Sequence, residues 1–178
     1  KGLFARGNLA NEHTQAEPKI KDKTFPITPP ISLVNKLSLP IFNFAYFHGN
    51  SLKKQPQTVH YEPFFYPLDA MHEWNKMYGP KGFYQYQSVV PKEVGKEATQ
   101  EMLNAIKKSG EGSFLAVLKT FGDRESGGLL SFPKPGVTLA LDFPNRGEKT
   151  LKLLNELDRI VKQAQGRLYC ANDSRMPR

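Results

Sequence analysis

Two glutamines, Gln85 and Gln87, lie two positions apart in an aromatic stretch of the sequence. Because side chains alternate between the two faces of a β-strand, both amides are predicted to project from one face, with Tyr84 and Tyr86 on the other. An amide offers a hydrogen-bond donor and an acceptor, so the pair could bind hydroxyl or carbonyl groups. A solvated sheet face without a ligand is the alternative interpretation.

A lysine with apolar neighbours occurs in a second predicted strand, from residue 114 to residue 121. Strand alternation places Lys119 and Phe121 on one face of it. An ammonium group fixed among apolar side chains could bind a phosphate or stabilise a developing oxyanion. The alternative is a surface lysine whose stem covers apolar residues while its charge reaches water.

Small and polar residues share one face of a third predicted strand, from Val137 to Phe143. Thr138, Ala140 and Asp142 alternate there with larger apolar residues, and their size leaves room for a ligand. The polar tail that begins at Tyr169 comes directly after a strand, and the ends of sheets are frequent ligand sites. A disordered terminus is the alternative for that tail.

Several kinds of site are not predicted. The four histidines have no metal-ligand spacing and no nearby cysteine, so we expect no metal and no catalytic triad. The single cysteine, Cys170, excludes an intramolecular disulfide framework. Neither a G-x-G-x-x-G nor a G-x-x-x-x-G-K-S/T motif occurs, so a cofactor would have to be bound mainly by sequence outside this chain.

The elements that position these residues follow the order β-α-β-β-α-β. The strands are predicted at Phe83–Val90, Phe114–Phe121, Val137–Phe143 and Arg167–Ala171, and the helices at Glu93–Lys108 and about Glu148–Gln165. This is an α+β, ferredoxin-like arrangement, in which an antiparallel sheet carries both helices on one face. A ligand or a partner is therefore expected on the free face.

The two helices are assigned from apolar stripes at helical spacing. The residues predicted to face the sheet are Val94, Ala98, Met102, Ala105 and Ile106 in the first helix, and Leu151, Leu154, Leu157, Val161 and Ala164 in the second. Gly110 is expected to end the first helix.

The N-terminal third is predicted to be mostly irregular because prolines interrupt it. Two short helical turns are expected on either side of Pro40. The predicted segments are an extended connector (1–30), the helical turns (31–47), a mobile loop (49–57), a strand (59–67) and a short helix capped by Asp69 (69–78). Residues 1–57 are thus predicted to be a connector with an irregular or short-helical segment, and residues 58–178 a domain.

The net charge of +8 suits nucleic acid, an anionic lipid surface, a phosphorylated substrate or an acidic partner domain. RNA binding is suggested by the segment 81–86, which is similar to an RNA-recognition strand. In such a domain the aromatic octamer belongs on the third strand, whereas here it lies on the first. Because the third strand also lacks an aromatic pair, we expect no nucleic-acid partner.

The chain has no apolar run of about 18 residues, and it begins with neither a methionine nor a signal peptide. We therefore expect a piece of a longer protein. The single cysteine favours a reducing compartment, so the cytoplasm is the expected location. Membrane association through the substrate and a periplasmic location are the alternatives.

Short motifs run in a fixed order through most of residues 58–175. They are Phe65-Tyr66-Pro67-Leu68-Asp69, Trp74-Asn75, Tyr78-Gly79-Pro80, Gly82-Phe83, Gln85-Tyr86-Gln87, Leu118-Lys119-Thr120-Phe121-Gly122, Ser131-Phe132-Pro133, Asp142-Phe143-Pro144, Gly166-Arg167-Leu168-Tyr169 and Asp173-Ser174-Arg175. A weaker match occurs at Arg6-Gly7-Asn8. Taken together, the motifs resemble the decaprenylphosphoryl-β-D-ribose 2-oxidase family, which belongs to the vanillyl-alcohol-oxidase-like flavoproteins.

The resemblance implies an N-terminal domain that binds FAD and a C-terminal cap domain whose antiparallel sheet closes over the isoalloxazine ring. Residues 58–178 are similar to the cap, and residues 1–57 would leave the FAD domain. By this resemblance the substrate-binding residues are Gln85, Gln87, Lys119, Phe121, Thr138, Ala140 and Phe65, the catalytic residues are Lys119 and Asn172, and the cofactor contacts are Gln87 and Asn172.

In two places the chain departs from the best-known members of that family. Ala140 stands where they carry a cysteine, and Asn172 stands where they carry a lysine before Asp-Ser-Arg. Asparagine can donate a hydrogen bond but has no charge, so the second departure bears on the substrate or the rate.

The implied reaction is oxidation of a secondary alcohol of a lipid-linked sugar phosphate, with hydride transfer to FAD. The implied partners are the chain's own FAD domain, the lipid-linked or phosphorylated sugar, and a companion short-chain reductase that completes an epimerisation. The isolated chain is expected to be inactive. The alternatives are the cap of another flavin-linked alditol or hydroxy-acid oxidase, and a ferredoxin-like binding module without enzymatic activity.

Overall fold

A four-stranded antiparallel sheet lies at the centre of the computed structural model, which describes residues 6–10, 23–51, 58–66, 69–113, 115–125, 127–171 and 175. In chain order the elements are β1 (Lys23–Thr24), α1 (Ser38–Ser51), α2 (Tyr61–Phe65), β2 (Met71–His72), a 3-10 helix (Trp74–Tyr78), β3 (Phe83–Val90), a 3-10 turn (Lys92–Val94), α3 (Gly95–Ser109), β4 (Ala116–Phe121), β5 (Gly136–Pro144), α4 (Glu148–Gln163) and β6 (Arg167–Leu168).

The sheet order is β4-β5-β3-β6, and every pair of neighbouring strands is antiparallel. Helix α3 connects β3 to β4, and α4 connects β5 to β6. This is the topology of the ferredoxin-like fold, so the predicted fold class is confirmed. Strand β3 has the predicted bounds, whereas β6 ends at Leu168 instead of Ala171. The predicted start of β4, Phe114, lies outside the described residues.

Helices α3 and α4 pack on the same face of the sheet. The core consists of Ala98, Met102 and Ile106 from α3, Leu153, Leu154, Leu157, Ile160 and Val161 from α4, and Tyr86, Val90, Leu139, Leu141 and Phe143 from the strands. Complete burial of a leucine such as Leu157 contributes roughly 2 kcal/mol. The apolar stripes are therefore largely as predicted.

The prediction was wrong for two residues of the apolar stripes. Val94 is 39% exposed, because it ends a 3-10 turn before α3 begins at Gly95. Leu151 is only half-buried, and Leu153 takes the inner position on α4. The predicted stop of α3 is confirmed, since Gly110 caps the helix with a φ of 68° that favours glycine.

The segment before the sheet differs from the prediction. The predicted strand at residues 59–67 is wrong, because residues 61–65 form α2, capped by a hydrogen bond from the Glu62 N–H to the His60 side chain. The predicted helix at residues 69–78 is reduced to the 3-10 helix. Glu73, in the left-handed region with a φ of 56°, separates that helix from β2, which pairs in parallel with β1.

Helix α1 replaces the two short turns predicted around Pro40. The proline is tolerated because it lies in the first turn, where its missing N–H has no helical partner to lose. The helix also includes the first three residues of the predicted loop at 49–57; residues 52–57 lie outside the described residues. Across the part of the chain that is described, no helix combines the length and the apolar character needed to cross a membrane.

A buried ion pair attaches the segment before α1 to the sheet domain. The Glu111 carboxylate is fully buried and lies 3.3 Å from Arg146 Nη1 and 2.7 Å from Lys149 Nζ. Arg146 also donates through Nη2 to the backbone oxygen of Val34, which is 1% exposed. The Leu33 N–H donates to the oxygen of Met77. Residues 33–34 are thus held against residues that the sequence assigned to the following domain.

Candidate functional site

The candidate site is the face of the sheet opposite α3 and α4, here called the open face. Strand register places on it Phe83, Gln85, Gln87 and Val89 from β3, Thr138, Ala140 and Asp142 from β5, and Val117, Lys119 and Phe121 from β4. The alternate residues, including Tyr86, Leu139 and Leu141, belong to the helix-covered core. The predicted division of β3 and β5 into two faces is therefore confirmed.

Gln87 lies at the centre of the open face. It is paired with Ala140 across the β3–β5 ladder, and Ala140 is paired with Val117 across the β4–β5 ladder. Gln87 Nε2 donates to Thr138 Oγ1 at 3.3 Å, and Thr138 is 1% exposed. This hydrogen bond to a buried hydroxyl orients the Gln87 amide, while the single methyl group of Ala140 leaves space beside it.

Lys119 stands next to this centre. It is paired with Thr138 across the β4–β5 ladder, and its side chain is exposed. Phe121, two positions on, lies on the same face and is half-buried. The ammonium group can therefore approach a ligand that covers Gln87 and Ala140.

Aromatic side chains border the open face at both ends. At the start of β3, Phe83 stacks on Tyr78 with ring centroids 4.5 Å apart, and Trp74 lies 5.3 Å from Phe83. At the opposite end, Phe132 contacts both Phe121 (6.0 Å) and Tyr169 (4.9 Å), which belong to or follow the two edge strands. The polar centre of the face thus lies between two apolar walls.

A buried carboxylate lies beside Gln85. Asp142 is paired with Gln85 across the ladder and is 2% exposed. Burial raises the pKa of Asp142 to about 6, and a hydrogen bond from the Gln85 side chain opposes this rise. Asp142 Oδ2 is buried and has no hydrogen-bond partner within the described structure. The open face therefore contains a carboxyl group that titrates near neutral pH.

Tyr78 is the titratable neighbour of that carboxylate. Its hydroxyl is buried without a hydrogen-bond partner among the described atoms. Burial raises the pKa of Tyr78, and the negative charge of Asp142 raises it further. Both residues lie within motifs on which the family resemblance rests, but no local pattern predicts that they meet.

Six of the seven predicted substrate-binding residues share the open face: Gln85, Gln87, Lys119, Phe121, Thr138 and Ala140. The seventh, Phe65, lies on α2, is 64% exposed, and makes ring contacts with Phe64 and Tyr66. Asn172 lies outside the described residues. The roles assigned to these residues remain predictions.

Comparison with known proteins gives an informative relative. No protein-family model matches the chain. The chain is 40% identical over 153 residues to decaprenylphosphoryl-beta-D-ribose oxidase of Mycolicibacterium smegmatis, an alignment that covers 85% of this chain and 32% of the relative. The chain therefore spans about a third of the length of the protein it matches.

This similarity identifies the family that the chain resembles. The family is that of decaprenylphosphoryl-β-D-ribose oxidase, so the resemblance carried by the ordered motifs is confirmed. The aligned length also agrees with the expectation that the sequence is a piece of a longer protein.

Proposed function

We propose that this chain is the substrate-binding cap of an FAD-dependent oxidoreductase that oxidises a secondary alcohol of a lipid-linked sugar phosphate. The observation that supports the proposal most directly is the convergence of two amides, a lysine and a small residue on the one sheet face that the helices leave open. The relative's name gives decaprenylphosphoryl-β-D-ribose as the compound on which that protein acts.

The amides orient the sugar. Gln87, held by Thr138, presents a fixed donor and acceptor to the substrate or to the edge of the cofactor. Gln85 adds a second amide two positions away on the same strand face. Because both project from a rigid strand, they can hold a hydroxyl-bearing carbon in one position, which lowers the entropic part of the barrier.

Lys119 supplies the positive charge. Its position across from Thr138 lets it approach the phosphate or the oxygen that gains negative charge as the alcohol is oxidised. We assign a second catalytic contact to Asn172, whose amide can donate a hydrogen bond but cannot neutralise charge. Phe65 and Phe121 are assigned to apolar parts of the substrate.

The open face is chemically suited to one side of a flavin. An isoalloxazine ring is flat and carries hydrogen-bonding groups along one edge, and the half-buried Gln87 amide beside Ala140 offers matching groups with space above a small residue. When bound, FAD accepts the hydride. Gln87 and Asn172 would contact it from this chain, and the rest of its binding would come from the domain that residues 1–57 would leave.

A panel of substrates tests this proposal. Full-length protein would be mixed with decaprenylphosphoryl-β-D-ribose, with an alditol and with a 2-hydroxy acid, with and without a short-chain reductase, and flavin reduction would be followed. We expect the lipid-linked sugar to reduce the flavin, and the alditol and the hydroxy acid not to reduce it. Reduction by the alditol or the hydroxy acid instead would favour another flavin oxidase. A full-length protein without flavin would favour a ferredoxin-like binding module.

A further inference from the structure

The pair formed by Gln85 and Asp142 is not explained by packing alone. Gln85 is exposed on the open face, while its cross-strand partner Asp142 is 2% exposed and has a buried Oδ2 without a described hydrogen-bond partner. A buried carboxylate without a cation is costly, and the fold would be more stable with a neutral group there. A functional role for the carboxylate would account for its presence.

The surroundings of Asp142 limit what it can do. Gln85 from β3 and Tyr78 from the 3-10 helix interact with its side chain, and Ser113 from the segment before β4 contacts its backbone. Ser113 Oγ accepts the backbone N–H of Asp142 at 3.0 Å. Among the three, only Tyr78 titrates, and its raised pKa keeps it neutral at physiological pH. Gln85 is therefore the neighbour whose orientation the carboxylate can control.

We propose that Asp142 is a positioning residue for Gln85, a role that rests on the function proposed above. The carboxylate accepts a hydrogen bond from Gln85 Nε2, so the carbonyl oxygen Oε1 is directed to the open face. There Oε1 accepts a hydrogen bond from a sugar hydroxyl whose oxygen is already occupied by another donor of the site, so Nε2 in the same place would not bind that hydroxyl equally well. Asp142 itself does not touch the substrate.

This arrangement makes the orientation of the amide depend on pH. A carboxylate can only accept hydrogen bonds, so it binds the Gln85 amide through nitrogen. A protonated carboxyl can donate to Gln85 Oε1, which turns the amide over and presents nitrogen to the substrate. Since the pKa of Asp142 is raised to about 6, the change falls between about pH 5 and pH 7.

The test uses the full-length flavoprotein with decaprenylphosphoryl-β-D-ribose, whose phosphodiester keeps one charge over this range. In the wild type, KM should be about tenfold lower at pH 8 than at pH 5, the effect of one hydrogen bond, with little change in kcat. Asp142→Asn and Gln85→Ala should each abolish this step in KM. The control Asp123→Asn changes an exposed loop aspartate and should retain it.

A second measurement keeps the inference separate from the proposed function. The side-chain amide resonance of Gln85 in full-length protein should titrate with a midpoint near pH 6, and should not do so in Asp142→Asn. A pH step in KM that persists in Asp142→Asn or in Gln85→Ala would overturn the inference. So would a Gln85 amide that does not titrate in the wild type. If decaprenylphosphoryl-β-D-ribose did not reduce the flavin, that result would count against the proposed function. The titration of the Gln85 amide would then still test whether Asp142 positions Gln85.

Discussion

Replacing Asp142 by asparagine should remove a pH-dependent loss of stability. The pKa of Asp142 is raised from its ordinary 3.8 to about 6 by burial, so between these values the folded protein binds more protons than the unfolded chain. The free energy of unfolding therefore falls as pH rises through this range, and the loss is complete above about pH 7. Asparagine has the shape of the protonated acid and does not titrate.

The magnitude follows from the shift. About two pKa units correspond to at most about 3 kcal/mol, and water reaching the open face reduces this to about 1–2 kcal/mol. The difference in unfolding free energy between Asp142→Asn and wild type should therefore rise by that amount from pH 4 to pH 8. Urea denaturation followed by the fluorescence of Trp74, the single tryptophan, measures it.

The control for this experiment is Asp123→Asn, which replaces an exposed aspartate in the loop after β4. The difference in unfolding free energy between Asp123→Asn and wild type should not show the rise from pH 4 to pH 8 that is expected for Asp142→Asn. A difference for Asp142→Asn that is the same at pH 4 and pH 8 would show that the carboxyl is not held in an environment that disfavours its charge, and would refute the reasoning.

Two further predictions concern stability and are measured by the same denaturation. Arg146→Ala removes one of the two cations beside the buried Glu111 carboxylate and the hydrogen bond to the Val34 oxygen, while Lys149 still pairs with Glu111. We therefore expect the free energy of unfolding to fall by about 2 kcal/mol, against less than about 0.5 kcal/mol for the exposed control Arg124→Ala; equal losses would contradict the role of the buried pair. Gly110→Ala should lower the free energy of unfolding by about 1 kcal/mol more than Gly122→Ala. Gly110 has a φ of 68° in the left-handed region, whereas Gly122 lies outside that region and an added Cβ there would meet no atom within 4 Å. Similar losses for the two variants would show that the helix end adapts to alanine.

The sheet and its two faces could be predicted from the sequence because local rules decide them. Alternation along β3 separated Gln85 and Gln87 from Tyr86, and tertiary packing followed the same division. The two helices could also be predicted from the sequence, since their apolar stripes repeat over several turns. The predicted residues of the open face met because the strand order places β5 between β3 and β4.

Very short elements and contacts between residues far apart in the sequence could not be predicted. The aromatic run at residues 61–65 is too short to distinguish a helix from a strand by its period, and the helix formed. The meeting of Tyr78 with Asp142 depends on how the 3-10 helix packs against the open face, which no local pattern encodes. The burial of Asp142 and its contact with Tyr78 could therefore be recognised only from the structure.

The central claim is that the open face binds the sugar beside a flavin, and flavin difference spectroscopy on the full-length protein tests it most directly. Decaprenylphosphoryl-β-D-ribose would be titrated into wild type, Gln87→Ala, Lys119→Ala and the control Gln100→Ala, an exposed glutamine on α3. Bleaching of the oxidised flavin is expected in wild type and Gln100→Ala, and at least tenfold weaker apparent binding in the two open-face variants. Bound flavin that is bleached equally in all four proteins would contradict the claim that this face holds the substrate.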